Sequence, residues 1–312
     1  MIRVCVIGAG IVAKRHILAI DGHPESVLAG VADIIVERAQ EAAAPYGASA
    51  YTDYIEMLDA EKPDACIINL PHGLHEAAAV ACAQRGIHTL LEKPMSVSYA
   101  SCQRINEAFH QSGALLQVGH PQRYSVGNRK ARELIESGEF GQVVMISNIR
   151  AANYFVDKRP RWFLKKEMSG GGIWMNFGAH CLDKLCFLTG STVQSVTGSC
   201  TYHAPGVEVD GSAQVLARTE NGVTAAITIC GYSVTPVEEV IIYLTKGNIR
   251  ICGDKVWISR DGKDEPADVS GYTPTFIAQW GEFMEGVLAG KILHCDGEYA
   301  AHIVRHIESL YG

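Results

Sequence analysis

Residues 2–13, IRVCVIGAGIVA, decide the fold of the N-terminal half of the chain. The apolar run 2–7 predicts a buried strand, and the glycines that follow, with Ala13, have the GxGxxA spacing of a strand–turn–helix unit. Gly8 permits a tight turn, Gly10 lets a pyrophosphate approach the backbone, and Ala13 allows close packing of helix on strand. The helix N-terminus then offers unpaired N–H groups and a positive dipole end to phosphate groups. The stretch therefore predicts a turn that binds a dinucleotide.

Short apolar runs alternate with helical segments through the first 120 residues. The runs are nearly continuous in apolar residues, as are strands of a parallel sheet that is covered on both faces. Asp53 and Glu56 have the spacing of a capping box, and Gly86 is suited to end a helix. The pattern predicts a doubly wound parallel α/β sheet, that is, a Rossmann domain over residues 1–120. Its strands are predicted at 2–7, 27–32, 65–70, 88–91 and 115–118, and its helices at 54–60, 75–85 and 99–111.

The pattern changes after about residue 120. Three turn dipeptides join predicted strands between 193 and 260, which indicates an antiparallel or mixed sheet instead of another series of parallel strands. The turns are Asn221-Gly222, Gly247-Asn248 and Gly253-Asp254; helices are predicted at 128–136 and 174–188, a strand at 142–152, an exposed loop at 261–274 and a helical region at the C-terminal end.

The composition is that of an ordinary globular enzyme, with 312 residues, 20% charged residues and a formal net charge of −7. This acidic balance, with only short basic clusters such as Lys14-Arg15, argues against nucleic acid as a partner. Ten cysteines are scattered singly without CxxC pairs or zinc-ligand spacing, which indicates reduced thiols and no metal site. No signal peptide is recognisable, and the longest apolar stretch, around 77–83, is too short to span a bilayer. We therefore expect a cytoplasmic protein without a membrane partner.

Asp33 is the second element of the predicted dinucleotide site, because it ends the second predicted strand about 20 residues beyond the glycine turn. A carboxylate there accepts hydrogen bonds from ribose hydroxyls and repels a 2′-phosphate, which favours NAD. Ile34 and Ile35 follow, so no cation stands directly beside Asp33 in the sequence. Arg38 can still reach an adenosine phosphate, which keeps NADP open. The predicted cofactor is NAD, with NADP less favoured.

Three further motifs carry a resemblance to a known family. The first motif ends the predicted strand at 65–70, and the second, the EKP segment, follows the predicted strand at 88–91. The third is a triple glycine that is followed by polar residues. With these motifs, essentially the whole chain resembles the glucose–fructose oxidoreductase / inositol dehydrogenase (Gfo/Idh/MocA) family. The residues concerned are 69–75 (NLPHGLH), 91–94 (LEKP), Gly170-Gly171-Gly172, Asn176, Gly178, His180 and Asp183.

The resemblance implies a Rossmann domain at 1–120 and, at 121–312, an α/β domain for substrate binding and oligomerisation. The sheet of this second domain is expected to be large, open and mostly antiparallel, and in the family such sheets often pair subunits. Family substrates are mostly sugars, cyclitols and related polyols, oxidised or reduced at one carbon with a nicotinamide cofactor. We therefore expect an NAD(P)-dependent oxidoreductase of CH–OH groups that forms a homodimer or homotetramer.

The resemblance also implies roles for single residues. Lys93 is expected beside the nicotinamide and the reacting oxygen, and His180 is expected to act as acid and base. Histidine suits that role because it titrates near neutral pH, and Asn176 shares its face at i and i+4 of a predicted helix. Tyr154 and Trp162 lie in a mixed charged and aromatic loop that suits a sugar ring. The predicted catalytic residues are Lys93, Asn176 and His180; the substrate-binding residues are Lys93, Tyr154, Trp162, Asn176 and His180; and the cofactor-binding residues are Gly8, Gly10, Ile11, Val12, Asp33, Leu70, Pro71, His75, Glu92 and Lys93.

Position 176 departs from the family pattern, because most members have Asp where this chain has Asn. An amide can orient a substrate hydroxyl or His180, but it lacks the negative charge that stabilises an imidazolium. We therefore expect Lys93 to contribute more to catalysis than His180 does. Two alternatives to simple hydride transfer remain open. One is an NAD-dependent glycosidase- or lyase-type enzyme on the same scaffold, and the other is a non-catalytic NAD-binding protein.

Overall fold

The computed structural model describes residues 1–291 and 293–311. The chain divides into two compact units, the first made of residues 1–119 and 276–302 and the second of residues 120–275 and 303–311. The sequence predicts a single boundary at 120/121, with all later residues in the second domain. The structure instead returns 276–302 to the first unit.

The first unit contains a six-stranded, fully parallel sheet in the order β3-β2-β1-β4-β5-β6. The order reverses between β1 and β4, which confirms the predicted doubly wound Rossmann sheet. The edge strand β3 is missing from the sequence prediction because it has only three residues, none of them buried. The strands are β1 (Ile2–Ile7), β2 (Ser26–Ala32), β3 (Ser49–Tyr51), β4 (Ala65–Ile68), β5 (His88–Glu92) and β6 (Leu116–Gly119), and the helices between them are α1 (Ala13–Asp21), α2 (Val36–Ala43), α3 (Tyr54–Glu61), α4 (His75–Ala83) and α5 (Tyr99–Ser112).

Helix α9 (Thr275–Ala289) explains why the chain returns to the first unit. Trp280, Phe283 and Met284 are almost completely buried in the apolar core formed by β1, α1 and β2. Burying each of these side chains contributes about 2–3 kcal/mol. The indole Nε1 of Trp280 also donates a hydrogen bond to Ser26 Oγ at 3.2 Å. This is a contact between distant parts of the sequence, which a change of local pattern near residue 120 does not reveal.

The second unit contains an eight-stranded sheet in the order β14-β13-β12-β11-β7-β10-β9-β8. Every neighbouring pair is antiparallel except β7 and β10, so the predicted mostly antiparallel sheet is confirmed. The strands are β7 (Val143–Asn153), β8 (Val193–Thr201), β9 (Ser212–Thr219), β10 (Thr224–Cys230), β11 (Tyr232–Leu244), β12 (Gly247–Cys252), β13 (Lys255–Arg260) and β14 (Lys263–Pro266), and the remaining helices are α6 (Val126–Glu136), α7 (Lys166–Ser169), α8 (Ala179–Thr189) and α10 (Gly297–Glu308).

Two local predictions in this unit are wrong. Residues 261–274 were expected to be an exposed loop, but β14 forms there and pairs with β13 at the sheet edge. All four β14 residues are exposed, so the strand has no buried alternation to reveal it. Residues 174–188 were expected to form one α-helix, whereas Trp174–Gly178 is a π-helical turn and α8 begins only at Ala179.

The two faces of the eight-stranded sheet differ in what covers them. Side chains of β7, β10 and β11 on one face pack against α8. Along β9, Val215 and Ala217 are buried on that face, whereas Leu216 on the other face is 58% exposed. Met145 and Ile149 of β7 are also exposed. Among residues 1–291 and 293–311, no helix combines the length and apolar character needed to cross a lipid bilayer.

Candidate active site

The two glycines of the β1–α1 turn have different surroundings. Gly8 has φ +89°, and a Cβ added to it would lie 2.7 Å from the carbonyl oxygen of Asn69. Only glycine fits there, because both the backbone conformation and the neighbouring strand exclude a side chain. A Cβ added to Gly10 would meet no atom within 4 Å. Gly8 is therefore required by the shape of the turn, and the space beside the Cα of Gly10 is open.

Asp33 is fixed by the same turn. Its Oδ2 accepts a hydrogen bond from the backbone N–H of Ala9 at 2.9 Å, and its Oδ1 accepts one from Ile35 N–H at 2.9 Å. A carboxylate offers about four acceptor sites, so each oxygen retains capacity for a ribose hydroxyl. The sequence predicted the ligand-facing role of Asp33 but not its bond to Ala9, which ties the end of β2 to the glycine turn.

Apolar side chains surround this edge of the sheet. Ile11 and Val12, which follow Gly10, are 83% and 36% exposed, and Ile34, which follows Asp33, is 91% exposed. Exposed branched apolar side chains are costly to leave in water, and they suit the flat apolar face of an adenine ring. Exposed apolar side chains therefore follow both the glycine turn and Asp33, and the residue after Asp33 is not a cation.

Glu92, at the end of β5, is held by both of its carboxylate oxygens. Oε1 lies 2.9 Å from Nε2 of His16, and Oε2 accepts a hydrogen bond from the backbone N–H of Lys93 at 3.2 Å. Burial alone would raise the pKa of Glu92, but the hydrogen bond with His16 and the charge of Lys93 lower that pKa below its usual value. The result is an ionised carboxylate hydrogen-bonded to the backbone N–H of Lys93.

His16, on α1, is a supporting residue that the sequence does not reveal. It is almost fully buried, and its ring packs edge-on against Phe276 at 4.9 Å between centroids. Its partner Glu92 is far away in the sequence, so no local pattern announces the pair. The structure thus links α1 directly to the segment that carries Lys93.

His75 joins the two loops that follow β4 and β5. Its Nε2 lies 2.8 Å from the carbonyl oxygen of Leu70 and its Nδ1 lies 3.0 Å from that of Pro94. Burial lowers the pKa of His75, while the two carbonyls and Glu92 oppose that shift. The ring is completely buried. His75 therefore links the backbones of the two loops. Leu70 and Pro71, in the loop after β4, are half-buried.

The second unit contains Asn176, His180 and Tyr154, and it brings Asn176 and Tyr154 into contact. Asn176 lies in the π-helical turn and His180 in the first turn of α8, and both are more than nine-tenths buried. The Nδ2 atom of Asn176 lies 3.5 Å from the hydroxyl oxygen of Tyr154. The predicted neighbours therefore belong to one helical segment, with the Tyr154 hydroxyl close to the amide.

The ring of Tyr154 is not exposed, although its place in a mixed charged and aromatic loop predicts a ring that contacts a sugar. Its ring is completely buried, with the guanidinium of Arg159 3.8 Å from the ring centroid. Burial raises the pKa of Tyr154 to about 12, so its hydroxyl keeps its proton at neutral pH. Trp162 is half-exposed and stacks on Phe163 at 3.7 Å between centroids. Of these two aromatic residues, only Trp162 presents ring surface to solvent, and Tyr154 is left with its hydroxyl.

Two domain families match the chain. The model of an oxidoreductase family with an NAD-binding Rossmann fold, GFO_IDH_MocA, matches residues 2–120. The model of the GFO/IDH/MocA C-terminal domain matches residues 128–250. The two matches together account for most of the chain.

Individual relatives agree with these matches. The 4-carboxy-2-hydroxymuconate-6-semialdehyde dehydrogenase of Sphingobium sp. is 26% identical over 284 residues, which span 86% of this chain and 84% of that enzyme. The inositol 2-dehydrogenase of Salmonella typhimurium is 31% identical over 145 residues, which span 45% of this chain and 43% of that enzyme. The solved structure of aldose–aldose oxidoreductase from Caulobacter crescentus, complexed with glycerol, has a TM-score of 0.91 at 21% identity and covers 99% of this chain and 96% of that one. At this identity, the last comparison shows a shared fold.

Proposed function

This chain belongs to the Gfo/Idh/MocA oxidoreductase family, and from that premise we propose that it is an NAD-dependent dehydrogenase or reductase of a sugar, a cyclitol or a related polyol. Its first unit carries an NAD-binding Rossmann domain. The observation that supports the proposal most is the gathering of the glycine turn, Asp33 and Lys93 at the carboxyl edge of one parallel sheet, where the strand order reverses.

The proposed chemistry needs a group at the reacting oxygen. As a hydride leaves the carbinol carbon, negative charge develops on that oxygen and its proton must be taken up. Bound NAD supplies the hydride acceptor. We assign Lys93 to the oxygen, because the adjoining Glu92 carboxylate anchors the backbone at Lys93 and is itself held by His16. In this role the Lys93 ammonium stabilises the developing charge.

The second unit contributes the groups that we assign to substrate recognition. His180 exchanges the hydroxyl proton, and Asn176 orients the substrate or the imidazole through its amide. Tyr154 supports Asn176 through its hydroxyl, and Trp162 offers apolar ring surface to a sugar face. The similarity of part of this chain to an inositol 2-dehydrogenase supports this substrate class.

The test is an initial-rate assay over a panel of hexoses, inositols and glycosides with NAD, and over the matching keto compounds with NADH. The panel includes a carboxylated semialdehyde, since the relative with the longer alignment is named for one. We expect turnover of at least one CH–OH compound. Absence of turnover with every polyol and keto-sugar would contradict the proposal.

Asn176 supports a second candidate, an NAD-dependent glycosidase or lyase in which oxidation is transient. That enzyme releases product from an aryl glycoside without net change in NADH, whereas a dehydrogenase accumulates NADH from the same panel. A non-catalytic NAD-binding protein is the third candidate. Such a protein binds NAD in calorimetric titration but turns over neither the polyols and keto compounds nor the aryl glycoside.

Cofactor choice follows from Asp33. We expect a preference for NAD over NADP of at least about tenfold, the effect of an interaction of about 1.4 kcal/mol. The cause is repulsion between the Asp33 carboxylate and a 2′-phosphate, with Ile34 and not a cation beside it. Asp33→Ala narrows or reverses the preference, measured as the ratio of dissociation constants for the two cofactors. Arg38→Ala is the control and leaves the NAD constant unchanged. Equal use of both cofactors by the unaltered protein would exclude Asp33 as the ribose ligand.

The exposed sheet face predicts the oligomeric state. Leu216, Met145 and Ile149 leave apolar surface uncovered on that face, so we propose a homodimer or homotetramer built on it. Leu216→Lys shifts the protein toward monomer in light scattering at micromolar concentration. Ile34→Lys alters an even more exposed apolar side chain, in the first unit, and leaves the oligomer intact. A monomeric unaltered protein would refute this proposal.

A further inference from the structure

A buried carboxylate lies at the start of the helical segment that carries Asn176 and His180. Asp210 has no solvent exposure. Its Oδ1 accepts a hydrogen bond from Gly172 N–H at 2.6 Å, and its Oδ2 accepts one from Trp174 N–H at 2.8 Å. The carbonyl oxygen of Asp210 accepts a third, from Ile173 N–H at 3.1 Å. One residue therefore binds three consecutive backbone amides.

Tyr311 completes this arrangement. Its hydroxyl donates to Oδ1 of Asp210 at 2.8 Å and accepts a hydrogen bond from Met175 N–H at 2.9 Å. Burial and the charge of Asp210 raise the pKa of Tyr311 well above its usual value, so the phenol remains a donor. The start of a helix leaves four N–H groups without partners inside the helix. Here Asp210 and Tyr311 bind all four amides from 172 to 175.

The glycines before this segment fit the same two residues. A Cβ added to Gly171 would collide with the hydroxyl of Tyr311, and one added to Gly172 would collide with the carbonyl oxygen of Asp210. A run of glycines can let a backbone lie close to a ligand, because it carries no side chains. At Gly171 and Gly172, the space that a side chain would fill is occupied by the protein itself. These glycines therefore permit the approach of Asp210 and Tyr311.

We infer that Asp210 and Tyr311 form a clamp that sets the position of Asn176 and His180, and that both are positioning residues for the reaction. The inference rests on the function proposed above. Neither clamp residue reaches the reacting atoms, because both are engaged with the backbone of 172–175. Asn176 N–H donates to Gly172 O at 3.1 Å, so the clamped backbone passes directly into the turn that holds Asn176.

The clamp matters for the register of this segment. Trp174–Gly178 is a π-helical turn, a rare form that occurs mostly as single turns within α-helices and is frequent at functional sites. Fixing the four amides before and inside this turn opposes its relaxation into an α-helical register, which would rotate Asn176. A displacement of about 1 Å in a positioning group costs on the order of 10²-fold in rate. Loosening the clamp therefore lowers turnover without removing any group that touches the substrate.

The kinetic test uses Tyr311→Phe, which removes only a hydroxyl, and Asp210→Asn, which keeps the side-chain size. We expect kcat to fall by roughly 10- to 100-fold in each, within the range for misplaced groups. The NAD dissociation constant stays the same, because the cofactor turn lies in the first unit. The primary deuterium isotope effect on kcat rises, since the hydride step becomes slow. Tyr272→Phe is the matched control, because Tyr272 also bonds a carboxylate, that of Glu133, but on the exposed surface of the second unit.

Hydrogen exchange gives a readout that does not depend on turnover. Amides 172–176 exchange faster in Tyr311→Phe than in the unaltered protein, and Tyr272→Phe leaves them protected. Unchanged exchange in Tyr311→Phe overturns the clamp itself. Faster exchange with full kcat overturns its positioning role. An inactive unaltered protein would instead contradict the proposed function, while the exchange data still decide whether the clamp exists.

Discussion

Lys93→Met reduces kcat by about 10³-fold, within the range for loss of one group that stabilises the developing charge, and changes NAD affinity much less. His180→Ala reduces kcat by less, about 10²-fold. The reason for this order is electrostatic. No carboxylate stands at position 176 to support a protonated His180, whereas Lys93 adjoins the partly buried Glu92, whose pKa is lowered. The comparison needs steady-state kinetics on the best substrate of the panel, together with NAD binding by calorimetry.

Lys14→Met is the matched control for the lysine variant. Lys14 is an exposed lysine on α1 of the same unit, so its loss removes one positive charge without touching the Lys93 segment. It leaves kcat unchanged. A larger loss for His180→Ala than for Lys93→Met, in folded proteins that bind NAD, would reverse the assigned roles. No change in either variant would locate the reaction elsewhere.

The two glycines of the β1–α1 turn are expected to respond differently to the same substitution. Gly8→Ala destabilises the protein by roughly 2–5 kcal/mol, because a left-handed conformation costs about 1–2 kcal/mol for an L-residue and overpacking against Asn69 adds about 1–3 kcal/mol. Gly10→Ala meets no atom within 4 Å and leaves the unfolding free energy almost unchanged. It weakens NAD binding instead, by at least about tenfold, because the methyl group occupies the approach of the pyrophosphate.

Urea unfolding without cofactor and calorimetric titration with NAD separate these two effects. Each variant serves as the control for the other, since both add one methyl group within the same turn. Equal destabilisation by the two variants would show that the space before Gly10 is not open. Normal NAD affinity in Gly10→Ala would show that the pyrophosphate does not lie there.

The fold was largely predictable because its signals are local. Continuous apolar strands, the GxGxxA turn and the turn dipeptides each span only a few residues, and they give the parallel sheet and the antiparallel hairpins. The exceptions lack a local signal. β14 is exposed along its whole length, and α9 joins the first unit through the burial of Trp280 against residues about 250 positions away.

The sequence predicts the groups of the candidate site but not the residues that hold these groups in place. Asp33 and Lys93 follow strands, where ligand-binding residues of α/β sheets collect, so their positions could be deduced. His16 and Asp210 act through partners on other elements, Glu92 in one case and the amides of 172–174 in the other. A single sequence contains no record of such pairs. The π-helical turn was equally hidden, because its residues fit an α-helical pattern.

The measurement that tests the central claim most directly is the initial rate of NADH formation over the polyol panel, run side by side on the unaltered protein and on Lys93→Met. We predict that the unaltered protein reduces NAD with at least one sugar, cyclitol or polyol, and that Lys93→Met still binds NAD but loses nearly all of that rate. A protein that binds NAD yet forms no NADH with any member of the panel, or a Lys93→Met variant that retains the full rate, would contradict the account.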